Sequence, residues 1–573
     1  MRANGALLIF ACWLAGFALS ACELAGTNEQ NQTHITASQN AVEGQRPNIL
    51  LIVADDLGYT DIGIYGGEIL TPNLDQLARD GLILTDYHNQ AVCSPTRAAL
   101  LSGMTTHKAG GAMHLYVEQK GTEGYQPGLR SDVVALPKLL DQAGYFSVVA
   151  GKWHLGAEPE RRPNARGFDR SFILQQGGAS HYSDMRGMFA FSREGTYWQD
   201  DQKVDALPED FYSSDFYTDY TIDRLKENEA SGDPFFAYLA YTAPHWPLQA
   251  PQSYIDKYKG RYDAGYEALR AERIERGKAM GVIPQDAPTY PRLDVVAAWD
   301  SLSAEEKAIS AREMEIYAAM VEVMDLNIGR MIDYLKDSGQ YENTFILFIS
   351  DNGAEGANRD PGDNGDDWTF DWSLENMGLQ DSYVVYGPEW AQAGAGVMRY
   401  FKSYASEGGI RGPAIVHAPT LSKKGEISDA FSTVVDFVPT ALELAGIEAP
   451  AELDGQTMQA FQGRSMLPFI MGEAEAYYPD DFTFGWEIFG HKAIRKGDWK
   501  LMQLAARPAE RSQPVPMASG AWGLYNMAND PGEVNDLSAE HPEIVEELLA
   551  AWEVYKAENG VVESETLELA RPY

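Results

Sequence analysis

The sequence has few cysteines, little positive charge and no long apolar run beyond its N-terminus. Three cysteines in 573 residues exclude a fold held together by many disulfides. No later stretch approaches the roughly 20 apolar residues of a membrane-spanning helix, so the main body is expected to be water-soluble. With 45 Lys and Arg against 84 Asp and Glu, the net charge of −39 argues against nucleic acid or an anionic membrane surface as a partner.

Two of the cysteines lie in an N-terminal segment that is typical of exported proteins. Cys12 falls within the apolar stretch 6–14, which indicates the hydrophobic region of a signal peptide. Cys22 closes the segment Leu19-Ser20-Ala21-Cys22, which resembles the lipobox of bacterial lipoproteins, where the cysteine becomes lipidated. The alternative is ordinary signal cleavage near Ala21. We expect a signal peptide over 1–21, a flexible tether over 22–46, and a lipid-anchored protein of the bacterial cell envelope, on its periplasmic side or surface.

From residue 47 onward, short apolar runs alternate with helical stretches. The run over 48–54 is continuously apolar after its first residue, as a strand covered on both faces should be, and the runs over 147–150, 235–241 and 345–350 are similarly apolar. This alternation predicts an α/β domain with a large, mostly parallel sheet flanked by helices. Ligands bind beyond the carboxyl ends of such strands, so the polar side chains that follow the runs are expected to meet at one edge. These side chains are Asp55 and Asp56, Lys152 and His154, His245, and Asp351 and Asn352.

The pattern changes near residue 449. Segments 482–487 and 492–501 predict an antiparallel pair, and 542–558 has apolar residues at helical spacing. We therefore expect the main domain to span 47–448 and a smaller C-terminal α+β domain to span 449–573.

A helical insertion over 250–301 and an acidic, aromatic loop over 356–397 are expected to wall the site. Aromatic side chains of the loop would either stack on a substrate ring or pack onto the core. They are Trp368, Phe370, Trp372, Tyr383, Tyr386 and Trp390.

Oxygen-bearing side chains dominate the expected edge of the sheet. Asp55, Asp56, Asp351 and Asn352 offer hard ligands, which favour Ca²⁺ or Mg²⁺ over Zn²⁺, and we expect Ca²⁺. Acids after strands also cap helices and solvate turns, so each aspartate alone is weak evidence for a metal.

The third cysteine begins the segment Cys93-Ser94-Pro95-Thr96-Arg97. Pro95 suits the first turn of a helix that continues through Leu101, which places Cys93 at the positive helix end beside Arg97. The residues alone leave open whether Cys93 is an inert buried thiol or one with a lowered pKa.

This segment resembles the Cys-x-Pro-x-Arg signature of the sulfatase family. Other sequence motifs of that family occur in the same order over most of the chain, and their residues most resemble those of bacterial arylsulfatases. The matching blocks are Asp55-Asp56-Leu57-Gly58, Gly151-Lys152-Trp153-His154-Leu155-Gly156, Ala243-Pro244-His245, Ser350-Asp351-Asn352-Gly353, Lys402 ahead of Glu407-Gly408-Gly409-Ile410-Arg411, and Leu524-Tyr525-Asn526-Met527 with Asp530-Pro531-Gly532-Glu533.

The resemblance implies an alkaline-phosphatase-like core and a modified nucleophile. A formylglycine-generating maturation enzyme would oxidise Cys93 to formylglycine. As a gem-diol, this residue would attack sulfur with one hydroxyl and expel sulfate with the second, through a covalent sulfo-enzyme intermediate. One Ca²⁺ per chain would be held by Asp55, Asp56, Asp351 and Asn352 and would touch the formylglycine at position 93.

The basic residues of the matched blocks carry the remaining implied roles. Arg97 would fix the gem-diol, and His154 would take the proton from its second hydroxyl. Lys152, His245 and Lys402 would bind the sulfate and stabilise or protonate the leaving oxygen. Three aspartates and one divalent cation leave a negative charge, so an anionic ester requires these cations.

Two alternatives remain beside a sulfatase acting on a sulfate-ester small molecule or a sulfated glycan. A phosphonate monoester or phosphodiester hydrolase shares the fold and can share the formylglycine. If Cys93 stayed a thiol, the chain would be a lipoprotein that binds sulfated ligands without turnover.

Overall fold

The computed structural model describes residues 46–112, 123–126, 128–189, 192–358, 369–453, 455–505 and 520–563. The expected signal peptide, almost all of the expected tether, Cys12, Cys22 and Trp368 lie outside these ranges. Export, lipidation and envelope localisation therefore stay predictions. None of the helices in the described ranges combines the length and apolarity needed to cross a membrane.

A ten-stranded sheet dominates the described part of the chain, and its central five strands run parallel. In space its order is β13-β2-β12-β11-β1-β10-β4-β5-β8-β9, where the strands are numbered along the chain. The strand bounds are Asn48–Ala54 (β1), Leu82–Leu84 (β2), Tyr87–His88 (β3), Phe146–Lys152 (β4), Arg170–Leu174 (β5), Arg186–Phe189 (β6), Ser192–Glu194 (β7), Tyr197–Gln199 (β8), Gln202–Val204 (β9), Phe235–Ala240 (β10), Thr344–Ser350 (β11), Ala414–His417 (β12), Glu426–Ser428 (β13), Ser432–Thr433 (β14), Glu452–Leu453 (β15), Gln456–Thr457 (β16), Thr483–Ile488 (β17), His491–Lys496 (β18), Trp499–Gln503 (β19) and Trp522–Asn526 (β20).

The four apolar runs of the sequence form four neighbouring strands, β11, β1, β10 and β4. Every residue of β1, β10 and β11 is buried, because helices cover both faces of the sheet. Ala54 pairs with Ser350, and Ala240 pairs with Gly151, so these strands end at nearly the same level. The residues that follow them therefore meet at one edge of the sheet.

The helices pack on the two faces of the sheet and around this edge. The longest, α8, has 34 residues and begins with a capping box between Ser303 and Glu306. The helices are Pro72–Asp80 (α1), Cys93–Ser102 (α2), Thr106–Ala109 (α3), Leu136–Asp141 (α4), Ser213–Asn228 (α5), Gln252–Ile255 (α6), Tyr266–Met280 (α7), Ala304–Asp337 (α8), Gly387–Gly394 (α9), Glu407–Ile410 (α10), Phe437–Ala445 (α11), Leu467–Ile470 (α12) and Pro542–Asn559 (α13).

A separate four-stranded antiparallel sheet, β17-β18-β19-β20, lies near the C-terminus. The prediction of one strand over 492–501 is wrong, because a turn at Gly497, where φ is +53°, divides it into β18 and β19. Alternate residues of this sheet face two different cores: Phe484 and Trp486 join the main core, whereas Ile494 and Leu501 pack with Trp552 of α13. The predicted α/β class and the small antiparallel sheet are confirmed; the boundary at 448 stays a prediction.

A buried ion-pair network joins the four-stranded sheet to helix α10. The Nζ atom of Lys500 lies 2.7 Å from a carboxylate oxygen of Glu407 and 2.7 Å from one of Glu533, and all three side chains are fully buried. His88 Nε2 also lies 3.0 Å from Glu407 Oε2. Ligand-type atoms of Asp86, His88 and Glu407 lie within 4.8 Å of one another. Since Arg411, Arg495 and Lys500 contact these carboxylates, charge balance here needs no metal ion.

Lys500→Met should destabilise the protein by about 3–5 kcal/mol, because it leaves Glu407 and Glu533 buried without their shared cation. Urea denaturation of the purified variant measures this loss. Lys496→Met is the matched control, since its partner Glu547 is exposed and the pair should contribute little. Equal, small effects of the two substitutions would contradict a structural role for the network.

Candidate active site

The structure brings the polar residues from the strand ends together in a buried cluster. Asp55 and Asp56 follow β1, Asp351 and Asn352 follow β11, and Lys152 ends β4; each is at most 1% exposed. Asp56 adopts a φ of +67°, a left-handed conformation that directs its carboxylate differently from that of Asp55. Backbone strain of this kind is concentrated at functional sites.

The oxygen atoms of this cluster fit a hard divalent cation. The amide nitrogen of Asn352 donates to Asp56 Oδ1 at 2.7 Å, whereas Asn352 Oδ1 is buried and accepts no hydrogen bond from any described residue. Asp56 Oδ1 also lies 3.8 Å from the Cys93 sulfur. Asp55, Asp56, Cys93 and His245 each place one atom that could bind a metal (a carboxylate oxygen, the sulfur or a ring nitrogen) within 4.8 Å of the others. A carboxylate and amide oxygen set with an orphaned acceptor suits Ca²⁺.

The carboxylates also impose an electrostatic penalty on one another. Burial, helped by the neighbouring charges of Asp351 and Asp56 and opposed by Lys152, raises the pKa of Asp55 to about 8. Burial also raises the pKa of Asp351, but Arg97 and Lys152 more than reverse this and hold it below its usual range. A bound divalent cation would relieve the repulsion at Asp55.

Cys93 is the first residue of α2, and Pro95 lies in the first turn as expected. Every residue of this helix is buried, and its positive end is directed at the aspartates. Burial raises the pKa of the Cys93 thiol well above its usual range, and Asp351 raises it further.

Two buried cations lie between the carboxylates. Arg97 contacts Asp351 Oδ2 through Nε at 2.9 Å and Nη2 at 2.7 Å, and its Nη1 donates to the Lys152 carbonyl at 2.9 Å. Lys152 Nζ lies 2.8 and 2.6 Å from the two oxygens of Asp55. Tyr238, within β10, also accepts from Arg97 at 3.2 Å. The arginine is thus fixed from three strands.

Lys402 and His245 approach the opposite side of Asp56. Lys402 Nζ lies 2.8 Å from Asp56 Oδ2, and His245 Nε2 lies 3.4 Å from the same oxygen. Tyr400 and Ser403 flank Lys402 with φ values of +57° and +78°, which fold this segment back toward the site. Its backbone is tied to two other segments of the site, because Lys402 N donates to Ala354 O and Ser403 N donates to Ala91 O.

The imidazole of His245 has a defined tautomer. Its Nδ1 lies 2.6 Å from the Trp246 carbonyl, which only accepts, so Nδ1 carries the proton. Burial lowers the pKa of His245 well below its usual range, and Lys402 lowers it further. In the neutral ring Nε2 is an acceptor, so it must gain a proton before it can donate to a leaving oxygen.

His154 is buried two residues after Lys152, with a φ of +55°. Its ring packs against Gly177, where an added Cβ would lie 2.7 Å from His154 Cε1. Only glycine therefore leaves room for this imidazole at the edge of the site.

Three neighbours of the site were not identified from the sequence: Tyr238, Trp246 and Glu355. Glu355 lies 2.9 Å from Lys402 Nζ and is 6% exposed. Its position three residues after Asn352, just beyond the block 350–353, is the one available signal.

The aromatic loop divides between core and surface. Tyr383, Tyr386 and Trp390 are buried; Tyr386 stacks on Tyr317, and Trp390 donates to the Ser310 carbonyl. These rings serve packing, whereas Trp372 is 38% exposed.

Comparisons with known proteins agree with this geometry. The sulfatase family model matches residues 47–447, and the model of the C-terminal region of N-sulphoglucosamine sulphohydrolase matches residues 396–556. An uncharacterized sulfatase of Schizosaccharomyces pombe is 43% identical over 92% of this chain and 96% of its own length. The arylsulfatase of Klebsiella aerogenes is 37% identical over 72% of this chain and 90% of its own.

A solved structure has the same fold. The crystal structure of Ps i-CgsB in complex with k-i-k-neocarrahexaose superposes with a TM-score of 0.64 at 25% identity, covering 90% of this chain and 94% of that one. This likeness confirms the predicted alkaline-phosphatase-like core.

Asp351→Asn should lower the affinity for Ca²⁺ at least about tenfold, because it removes a buried charged oxygen from the ligand set. Calorimetric titration of the chelated protein measures the affinity, and the rise of the thermal midpoint with Ca²⁺ provides a second readout. Glu389→Gln, a half-buried carboxylate of α9, is the control and should leave both unchanged. Stabilisation of the wild type by Zn²⁺ but not by Ca²⁺ would contradict the assignment.

Proposed function

The chain belongs to the sulfatase family and is a sulfate ester hydrolase, and we propose that it acts as an arylsulfatase-type enzyme with formylglycine at position 93 and one Ca²⁺. One observation carries the proposal: Cys93 begins a buried helix with its sulfur 3.8 Å from Asp56, within a cluster of hard oxygen ligands and three cationic side chains. A nucleophile, a metal site and an anion site thus coincide.

The formylglycine and the Ca²⁺ would supply the central chemistry. In hydrated form the modified residue would supply one hydroxyl for attack on sulfur and a second whose deprotonation would expel sulfate, and the cation would supply a Lewis acid for a sulfate oxygen. Asp55, Asp56, Asp351 and Asn352 would hold the cation, each with its side chain fully or almost fully buried.

The other side chains of the site would have separate roles. Arg97, fixed by Asp351 and the Lys152 carbonyl, would orient the hydroxyls of residue 93. His154 would accept a proton as sulfate departs. Lys402 and His245 together face the other oxygen of Asp56, and with Lys152 they would bind the sulfate and neutralise charge on the leaving oxygen.

The likeness to the arylsulfatase of Klebsiella aerogenes supports an aryl sulfate as substrate, and the likeness to a protein solved with a neocarrahexaose supports a sulfated glycan. Both substrates are sulfate monoesters, so the same groups would cleave them. We also propose that a maturation enzyme modifies Cys93 and that Cys22 anchors the chain to the envelope, as residues 19–22 predict.

Cys93→Ala should remove nearly all sulfate ester hydrolysis and keep the fold, because only the nucleophile is deleted. Hydrolysis of 4-nitrophenyl sulfate and the thermal midpoint measure the two effects. Ser94→Ala, at the next position of the same helix, is the control and should retain activity within about threefold. Substantial activity of the Cys93→Ala variant would overturn the assigned nucleophile.

The peptide containing Cys93 should be about 18 Da lighter than the encoded sequence when the protein comes from a host with the maturation enzyme. Tandem mass spectrometry of the tryptic peptide measures this difference. An unmodified thiol in a protein that binds sulfate esters without cleaving them would support the binding alternative.

A further inference from the structure

Glu355 is a buried carboxylate beside the site to which the preceding mechanism gives no role. One of its oxygens, Oε2, lies 2.9 Å from Lys402 Nζ. The other, Oε1, accepts the backbone N–H of Ala357 at 2.9 Å, which fixes the carboxylate in one orientation. At 6% exposure, this charge is shielded from solvent and acts directly on its neighbours.

Glu355 is also connected to His245. The indole nitrogen of Trp246 donates to Glu355 Oε2 at 3.4 Å, and the Trp246 carbonyl accepts from His245 Nδ1 at 2.6 Å. The rings of His245 and Trp246 lie 5.1 Å apart. A single carboxylate is therefore in contact with Lys402 directly and with His245 through one residue.

Asp56 contacts the same two groups but cannot replace Glu355. Asp56 Oδ2 lies 2.8 Å from Lys402 Nζ and 3.4 Å from His245 Nε2. Because Asp56 belongs to the proposed metal ligands, a bound cation would compete with Lys402 for its oxygens. Glu355 lies outside that ligand set, so its hold on Lys402 would persist in the metal-bound protein.

We propose that Glu355 is a positioning residue that fixes Lys402, and through Trp246 also His245, at the leaving-group side of the site. This inference rests on the proposed function, in which Lys402 and His245 act on the leaving oxygen. It assigns Glu355 a defined kinetic effect: it determines how poor a leaving group the enzyme can expel.

Sulfate esters differ in how much their leaving groups depend on a proton donor or a cation near the leaving oxygen. A 4-nitrophenolate leaves readily without a proton or a nearby cation, whereas phenolate and sugar alkoxides leave poorly without them. Misplacement of Lys402 and His245 should therefore slow the second class selectively. A general loss of folding or metal binding would instead slow all esters alike.

The experiment compares Glu355→Gln with the wild type on 4-nitrophenyl sulfate, phenyl sulfate and a monosaccharide sulfate. We expect kcat to fall no more than about threefold on the nitrophenyl ester and at least about a hundredfold on the other two, since proton transfer and charge stabilisation typically contribute that much. Similar fold losses on all three esters would overturn the proposal.

Two further variants make the assignment specific. In a Lys402→Ala background, adding Glu355→Gln should cause a clearly smaller loss than it does in the wild type, because the effect through Lys402 is already gone and only the effect through His245 remains. Glu389→Gln, a half-buried carboxylate outside the site, should show no dependence on the leaving group. An additive loss in the double variant would contradict the proposed coupling.

Failure of the proposed function can be told apart from failure of this inference. If the wild type cleaves no sulfate ester, the proposed function fails, and the crystal structure of Glu355→Gln then decides the role of Glu355. Displacement of Lys402 Nζ from its position beside Asp56 would support positioning. An unmoved Lys402 would overturn it.

Discussion

Burial of three aspartates at one edge of the sheet is the constraint on which the rest of the site depends. Asp55, Asp56 and Asp351 are at most 1% exposed, and charges removed from water in this way are tolerated only when they are compensated. Arg97, Lys152 and Lys402 supply part of that compensation through contacts of 2.6 to 2.8 Å. The orphaned oxygen of Asn352 and the raised pKa of Asp55 fit the proposed divalent cation, which would supply the rest.

The strand order makes this concentration of charge unavoidable. The strands β11, β1, β10 and β4 are parallel neighbours that end at the same level, so the residues after them must share one small volume. Helix α2 then brings its positive end and Cys93 to the same place. The rigid sheet thereby holds groups whose mutual repulsion would separate them on a flexible loop.

This arrangement explains which features could be predicted from the sequence. Continuous apolar runs followed by acids predict both buried parallel strands and their common edge, because strand direction alone brings the ends together. The same pattern missed the turn at Gly497, since Lys492–Leu501 has no interruption in its β-forming character other than one Gly-Asp pair. Glu355 was missed for another reason: its importance follows from contacts with Lys402 and Trp246, which are distant in sequence.

The negative net charge of the chain affects how the site can bind an anionic substrate. A chain with a net charge of −39 repels anionic esters at long range, so binding requires a local excess of positive charge. With the proposed divalent metal bound, the three cations and the metal would exceed the three aspartates by two charges, and Glu355 would reduce that excess to one. A sulfate monoester carries one negative charge, so the occupied site would be neutral, which is the condition under which a buried charged cluster costs least. Glu355 would therefore adjust the site to a singly charged ester, in addition to its proposed role in fixing Lys402.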